Sequence, residues 1–362
     1  MKAQVHTGDL DWWLIALSGA LCCLGFLEVH SATHRAMAGM VWRQVGWVGL
    51  GFAVLWLLSR LDYQWLLDRA AILYLLMLGA LLIVLVAGHA KFGARRWVEI
   101  AGIPFQLSEF AKLVIIIVLA RFLSEVRTDR LALVDLAKIG GLIGVPMVLI
   151  LLQPDLGTAL TLIPITVVGA FLAGIQWKHA LVLVVLAGLS VPVAWHFVLK
   201  PYQKARITTF LQPEKDPQGS GYQILQSEIA VGSGGLWGEG LGRGSQNQLG
   251  FVPVRYSDFI LAALAEELGF AGVFLTLLLY AGMLSRLILN ARQARDRAGM
   301  YLVAGVAAIL AFHVFVNAAM VIGWMPVTGI PLPLVSYGGS ATLFVFMALG
   351  LVMSVRVRRF VN

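Results

Sequence analysis

The segment SDFILAALAEELG (257–269) opens an apolar run with a carboxylate, Asp258, and carries two more, Glu266 and Glu267, about two turns further on. Carboxylates are costly near hydrocarbon, so each one needs a partner or a function. A carboxylate within reach of a hydroxyl can serve as a general base. The structural alternative is that Asp258, with Ser257, caps the following helix. We interpret Glu266 and Glu267 as structural partners of neighbouring polar groups or cations.

Two further stretches place charges beside apolar runs. QLSEFAKL (106–113) holds Glu109 and Lys112 three residues apart, on one face of a helix, which fits either a structural ion pair or direct contact with a substrate. QPDLG (153–157) holds Asp155 just before another apolar run. Asp155 either caps that helix at its N-terminus or holds a cation or a substrate amine.

The composition shows which elements must position these residues. Of the 362 residues, 59% are hydrophobic and only 13% are charged, about half the charge of a soluble domain. We therefore predict one all-α, polytopic membrane domain over 1–362. Runs of roughly 20 apolar residues, enough to cross the hydrocarbon, predict ten spans. They are 12–31, 43–60, 70–88, 107–124, 136–152, 155–175, 179–199, 258–284, 299–323 and 336–355.

The basic residues predict the orientation of these spans. With the N-terminus inside, fifteen Lys and Arg residues fall in inner segments and five in the short outer loops. This bias predicts that both termini are cytoplasmic. The groups that could do chemistry then collect on the outer side instead of forming a path across the membrane, which argues against an ion pathway. The seven histidines show no metal-ligand spacing.

The outer segment 200–257 is far longer than an ordinary connection. Its scattered Tyr, Trp, Ile and Leu residues predict an ordered cap, with a short helix at 221–231 along the membrane surface. Its cations are Lys200, Lys204, Arg206, Lys215, Arg243 and Arg255. Outward cations fit a bound phosphate, which the planar fork of Arg suits, or contact with lipid headgroups.

The chain resembles the SEDS family of bacterial cell-wall polymerases, its RodA branch more than its FtsW branch. The similar segments, in order along the chain, are ARRWVEI (94–100), FQLSEFAKL (105–113), QPDLGTAL (153–160), PYQKARI (201–207), 221–253, SDFILAALAEELG (257–269) and GIPLPLVSYGGS (329–340). Val254 and Tyr256 stand where the family commonly has Glu and His. The resemblance implies a GT-C-like membrane fold and a glycosyltransferase that polymerises lipid II on the outer face of the bacterial inner membrane.

The resemblance also implies partners. They are a class B penicillin-binding protein, which is the elongation transpeptidase, and other elongation proteins such as MreC and MreD. Nothing in the sequence suggests nucleic acid. Asp258 matches the essential loop aspartate of the family. The predicted substrate-binding residues are Arg96, Trp97, Glu109, Lys112, Gln153, Asp155, Arg206 and Arg243.

Transfer from a diphosphate donor needs a base for the attacking sugar hydroxyl and positive charge for the leaving diphosphate. We expect Asp258 to be the base, with inversion from α to β. Arg96 and Lys112 are the leading candidates for holding the diphosphate, helped by Arg206 and Arg243. Trp97 either stacks on a sugar or anchors the chain at the interface. A divalent cation, Mg²⁺ or Mn²⁺, is the candidate cofactor, because it could also neutralise the leaving diphosphate.

Two alternatives from other classes remain at this stage. One is a lipid II flippase or other transporter that forms no bond. The other is a non-catalytic scaffold for the transpeptidase, in which Asp258 would be freely replaceable.

Overall fold

The computed structural model describes residues 10–33, 39–91, 94–100, 103–126, 130–216 and 219–359. Most of these residues are helical. The helices are α1 (Trp12–Thr33), α2 (Gly39–Arg60), α3 (Tyr63–Asp68), α4 (Ala70–Ala87), α5 (Leu107–Glu125), α6 (Leu133–Leu152), α7 (Leu156–Leu172), α8 (Trp177–Val193), α9 (Pro201–Leu211), α10 (Ser220–Ser233), α11 (Ser245–Leu249), α12 (Ile260–Arg292), α13 (Arg297–Val321) and α14 (Gly339–Val357). The strands are β1 (His89–Lys91), β2 (Ala94–Ile100) and β3 (Ile103–Gln106).

A helix lies at each of the ten predicted spans. Within the described part of the chain, seven of them are long and apolar enough to cross a membrane: α1, α2, α6, α8, α12, α13 and α14. Helices α4 and α7 are apolar but shorter, and α5 carries Glu109 and Lys112 in its first two turns. The prediction of a multi-pass helical membrane protein is confirmed.

A small sheet between α4 and α5 was not predicted from the sequence. Its three strands are antiparallel in the order β1-β2-β3. Trp97 of β2 pairs with Gln106 at the end of β3, and β3 leads directly into α5. The sheet therefore carries Arg96 and Trp97 beside the first turn of α5.

Helix α12 is broken at Gly269, whose φ of 66° and ψ of −166° lie outside the helical range. The chain of the outer cap fills the break. The N–H groups of 270–271 donate to the carbonyl groups of 235–236 at 2.9 and 3.0 Å, and those of 239–240 donate to the carbonyls of 266–267 at 2.9 and 3.0 Å. Irregular backbone within an apolar helix is tolerated here because other segments of the protein supply its hydrogen bonds.

The two glutamates before this break hold the cap in place. Glu266 accepts from the backbone N–H groups of Gln246 and Asn247 at 2.7 and 2.9 Å. Glu267 accepts from Ser31 Oγ and Asn247 Nδ2, both at 2.6 Å. Both side chains are fully buried. The structure thus confirms that Glu266 and Glu267 are structural partners of polar groups.

The centre of the bundle is formed by α13 and α14, most of whose residues are buried. The first helical turns of α12, Ile260–Glu267, are also buried without exception. By contrast, α8 has no buried residue. The segment 256–258 therefore enters the protein core directly, and the core fixes its position.

Candidate active site

Asp258 lies just before α12 and is partly buried. Its Oδ1 accepts a hydrogen bond from Ser257 Oγ at 2.9 Å. The N-cap residue of α12 is Phe259, and no side chain caps that helix end. The capping alternative for Asp258 is therefore not what the structure shows. Oδ2 has no hydrogen-bond donor among the described residues and lies on the side of Gly329, where an added Cβ would stand 3.5 Å away.

The segment 330–337 forms a second wall and holds the backbone around Asp258. Asn317 Nδ2 of α13 donates to the carbonyl oxygens of Asp258 and Ile330, both at 2.9 Å. Ser336 Oγ donates to the carbonyl of Ser257 at 2.7 Å. Asn317 and Ser336 are buried. These bonds fix the direction in which the carboxylate leaves the main chain.

A second group of residues joins the sheet to the start of α7. Asp155 caps α7 through the N–H of Thr158, which confirms its predicted capping role. Its Oδ2 also accepts from Gln106 Nε2 at 2.7 Å and from Ser108 Oγ at 3.2 Å. Arg96 lies against this group, with Nη1 3.6 Å from Asp155 Oδ1 and Nη2 bonded to the carbonyl of residue 154. Because its oxygens are taken, Asp155 serves to position Arg96.

Arg206 on helix α9 lies near both groups of residues. The charges of Arg96, Asp155 and Asp258 all act on its guanidinium. Burial lowers the pKa of Arg206, the neighbouring Arg96 lowers it further, and the nearby acids oppose the change. Arg206 makes no hydrogen bond or ion pair with the described residues. Its guanidinium is thus available to a ligand.

The pKa of Asp258 is raised above its ordinary value because burial disfavours the charged form. The hydrogen bond from Ser257 and the positive charges of Arg206 and Arg96 oppose this rise. A carboxylate with a raised pKa is a stronger base than an exposed one, and the two cations favour its ionised form. This combination suits a general base.

Glu109 and Lys112 are buried in the helix bundle. Lys112 has no exposed surface, and its Nζ contacts Glu109 Oε2 at 2.9 Å and His313 Nε2 at 3.4 Å. The ammonium group also lies 4.2 Å from the centre of the Phe344 ring. Of the two interpretations that the sequence left open for this pair, the structure favours the ion pair over direct contact with a substrate.

No described contact joins the remaining predicted residues to Asp258. Gln153 is buried and donates to the carbonyl of Leu81 at 2.9 Å. Trp97 is partly exposed beside β3. Arg243 is exposed in the loop that Glu267 anchors, and none of the described contacts joins it to the Arg96–Arg206 group.

The geometry does not fit a metal bound by protein ligands alone. The part of the chain that is described contains no group of three His, Cys, Asp or Glu residues placed to hold a metal. The donors of Gln106, Ser108 and Thr158 already engage Asp155. The strongest positive charge beside Asp258 is that of the two arginines.

Known proteins give this arrangement a context. A family model described as a cell cycle protein, FtsW, RodA and SpoVE, matches residues 11–360. The chain belongs to the FtsW/RodA/SpoVE family. It is 38% identical to the peptidoglycan glycosyltransferase MrdB of Escherichia coli K12, over 98% of this chain and 95% of that protein. It is 36% identical to the stage V sporulation protein E of Bacillus subtilis, over 95% and 96%.

Solved structures of FtsW/RodA/SpoVE proteins agree with this fold. One is a chain of a peptidoglycan synthase complex that coordinates polymerization and crosslinking, with a TM-score of 0.85, 37% identity and coverage of 98% of this chain and 99% of that one. Another is the rod shape determining protein RodA of Thermus thermophilus, with a TM-score of 0.74, 32% identity and 98% coverage of each chain. The family and fold expected from the motifs are confirmed.

Several residues of the site in this family member were not predicted. Asn317 and Ser336 were not predicted as supports of this segment, because the contacts are distant in sequence. Asn317 bonds the carbonyl of Asp258 across 59 residues of chain, and Ser336 bonds the carbonyl of Ser257 across 79. Gln106 and Ser108 stand beside Glu109 in the segment 105–113, and their polarity ahead of an apolar helix was the available signal. Tyr202 is one turn before Arg206 on α9, and this spacing places both on one face.

Proposed function

We propose that this chain is a peptidoglycan glycosyltransferase that polymerises lipid II into glycan strands. The observation that carries the proposal is the Oδ2 oxygen of Asp258, which has no donor among the described residues and lies in the electrostatic field of Arg206 and Arg96. A free base beside two cations suits a reaction in which a hydroxyl loses a proton while a diphosphate leaves. The names of the related proteins support the same reaction.

In the proposed step, Asp258 takes the proton from the 4-hydroxyl of the acceptor sugar. The hydroxyl oxygen attacks the anomeric carbon of the donor and forms the new glycosidic bond. The bond from that carbon to the diphosphate breaks on the opposite side, so the configuration changes from α to β. A positioned general base typically contributes about 10²–10⁴-fold to such a rate.

The leaving group is undecaprenyl diphosphate, a weak base that needs neutralised charge more than a proton. Arg96 and Arg206 supply that charge. Arg96 is held in place by Asp155, and oriented charges of this kind do not have to reorganise during the reaction. A requirement for Mg²⁺ or Mn²⁺ in addition stays a prediction, tested by comparing polymerisation in chelator with polymerisation after either ion is restored.

We place the protein in the bacterial inner membrane, with both termini cytoplasmic and Asp258 facing the periplasm, on the distribution of Lys and Arg. We propose a class B penicillin-binding protein as the partner, because a similar chain occurs in a complex that couples polymerization to crosslinking. MreC and MreD remain expected members of the same assembly.

The test is polymerisation of supplied lipid II by purified protein in detergent, where no transport between compartments can occur. Asp258→Asn keeps the size of the side chain but removes the base, so we expect at least a hundredfold loss of rate. Asp135→Asn is the matched control. Asp135 caps the far end of α6, about 30 Å along the helix from the Asp155 end, and its loss leaves the rate unchanged.

Two outcomes contradict the proposal. Wild-type protein that makes no glycan while translocating lipid II in vesicles would favour the transporter. An Asp258→Asn protein that polymerises at the wild-type rate would remove the base from Asp258 and leave the chemistry to other residues.

A further inference from the structure

Two hydrogen-bond donors near Asp258 lack an acceptor. The hydroxyl of Tyr202 on α9 and the Nε–H of Arg96 on β2 are both buried, and neither has a hydrogen-bond partner in the part of the chain that is described. Buried polar groups in native proteins almost always have a partner, and leaving a donor without one is costly. An unpaired buried donor in a candidate site therefore indicates that the site binds a hydrogen-bond acceptor.

The two groups belong to one cluster. The charges of Arg96, Arg206 and Asp155 all act on the Tyr202 hydroxyl, and Tyr202 and Arg206 are four residues apart on α9. Burial raises the pKa of Tyr202, and the two arginines oppose the rise. The neighbouring Gln203 side chain also lowers this pKa, but it does not lie in hydrogen-bond geometry with the hydroxyl. The hydroxyl proton is therefore without an acceptor among the described residues.

The chemistry of the two unpaired donors indicates what kind of ligand they bind. A guanidinium Nε–H can only donate, so the partner must accept. Asp155, the acid that contacts Arg96 among the described residues, is already bonded to Gln106 and Ser108. The unpaired donors stand beside the guanidinium groups of Arg96 and Arg206. The acids that act on Arg206 are Asp155 and Asp258, so an added anion with several acceptor oxygens would engage the arginines and the hydroxyl together. Phosphate groups meet this description, and arginine holds them well.

We infer that Tyr202 donates its hydroxyl hydrogen bond to the diphosphate of the lipid-linked donor, and that Tyr202, Arg96 Nε and Arg206 together form an oxyanion site. This inference rests on the proposed function and deepens it. Asp258 acts on the acceptor hydroxyl, whereas these three donors hold the leaving group. Tyr202 is thus a substrate-binding residue that was not predicted from the sequence.

Tyr202→Phe tests the inference, because it removes one oxygen atom and leaves the ring. A hydrogen bond to a charged group contributes enough that its loss lowers kcat/KM for lipid II by about ten- to a hundredfold. Inorganic pyrophosphate, used as a competitive inhibitor, becomes at least about tenfold weaker. The apparent melting temperature does not fall, since the hydroxyl has no partner to lose.

Tyr74→Phe is the matched control. The Tyr74 hydroxyl donates to the carbonyl of Leu142 at 2.9 Å, between α4 and α6. Its removal lowers the melting temperature and leaves inhibition by pyrophosphate unchanged. The inference is overturned if Tyr202→Phe behaves in the same way, or if it matches wild type in both kcat/KM and inhibition.

Two further arms distinguish a lipid headgroup from the donor diphosphate, and the oxyanion site from the proposed activity. If phosphatidylglycerol added to the micelles abolishes wild-type inhibition by pyrophosphate, the cluster binds lipid headgroups and the assignment to the donor diphosphate is wrong. If wild-type protein does not polymerise lipid II at all, the proposed function fails. Pyrophosphate-induced thermal stabilisation, present in wild type and lost in Tyr202→Phe, then still decides whether the oxyanion site exists.

Discussion

Replacing Lys112 with Met probes the buried ion pair that supports the site. The Lys112 side chain is 0% exposed and that of Glu109 is 7% exposed, with 2.9 Å between Nζ and Oε2. At an effective dielectric constant of about 20, two unit charges at that separation attract by about 6 kcal/mol before desolvation is subtracted. Removing one partner of a buried pair costs about 3–5 kcal/mol, because the other charge stays buried without compensation.

The double variant Glu109→Gln/Lys112→Met is the informative comparison. It removes both charges, so no buried charge is left without a partner, and such replacements are often close to neutral. We expect Lys112→Met to be the least stable protein and the double variant to recover most of the loss. Unfolding in detergent with increasing denaturant, followed by tryptophan fluorescence, gives the order of the variants.

Two results would refute this reasoning. Equal destabilisation by the single and double variants would show that packing, not charge, explains the loss. Unchanged stability of Lys112→Met together with weaker inhibition by pyrophosphate would show that Lys112 binds the diphosphate, as the sequence allowed. The buried position of Lys112 beside His313 and Phe344 argues for its role in the ion pair with Glu109.

Two more predictions concern Asp258. Its carboxylate must be ionised to act as base, so kcat/KM rises as the pH passes upward through its raised pKa. Arg206→Gln removes a positive charge that lowers this pKa, so it shifts the acid limb of the pH–kcat/KM profile to higher pH. An acid limb at the same pH as in wild type would show that the charge of Arg206 does not act on Asp258. Gly329 has φ of 74°, so Gly329→Ala costs about 1–2 kcal/mol of stability and places a methyl group 3.5 Å from Asp258 Oδ2. We expect at least a tenfold lower kcat/KM in a lipid II assay, while Gly174→Ala (φ of 80°, in the turn after α7) shows the strain alone; similar activities of the two variants would contradict the contact.

Local patterns in the sequence were enough for the helices and for some of the polar contacts. Apolar runs located a helix at each predicted span, and the spacing of three residues between Glu109 and Lys112 was enough to pair them. The capping role of Asp155 followed from its place before α7. In each case the interacting groups lie within one or two turns of each other, so the helix itself brings them together.

The sheet and the walls of the site depend on contacts that local patterns do not reveal. Strands β1, β2 and β3 are too short and irregular to be recognised in the sequence, and they form a sheet only because β1 and β3 pair with β2. The break in α12 at Gly269 is stable because a distant segment, 235–240, supplies the lost backbone bonds. Neither feature has a periodic signal.

The two sides of the site are held in different ways, and this difference has a consequence for catalysis. The base is fixed through its backbone by Asn317, and the backbone of its neighbour Ser257 is fixed by Ser336. On the cation side, Arg96 is tied to the start of α7, while Arg206 makes no bond to the described residues and can follow a ligand. A rigid base with one adjustable cation suits a polymerase, because the acceptor hydroxyl must always reach the same oxygen while the departing diphosphate moves away from the new bond. Tethering Arg206 would therefore slow product release more than it slows attack.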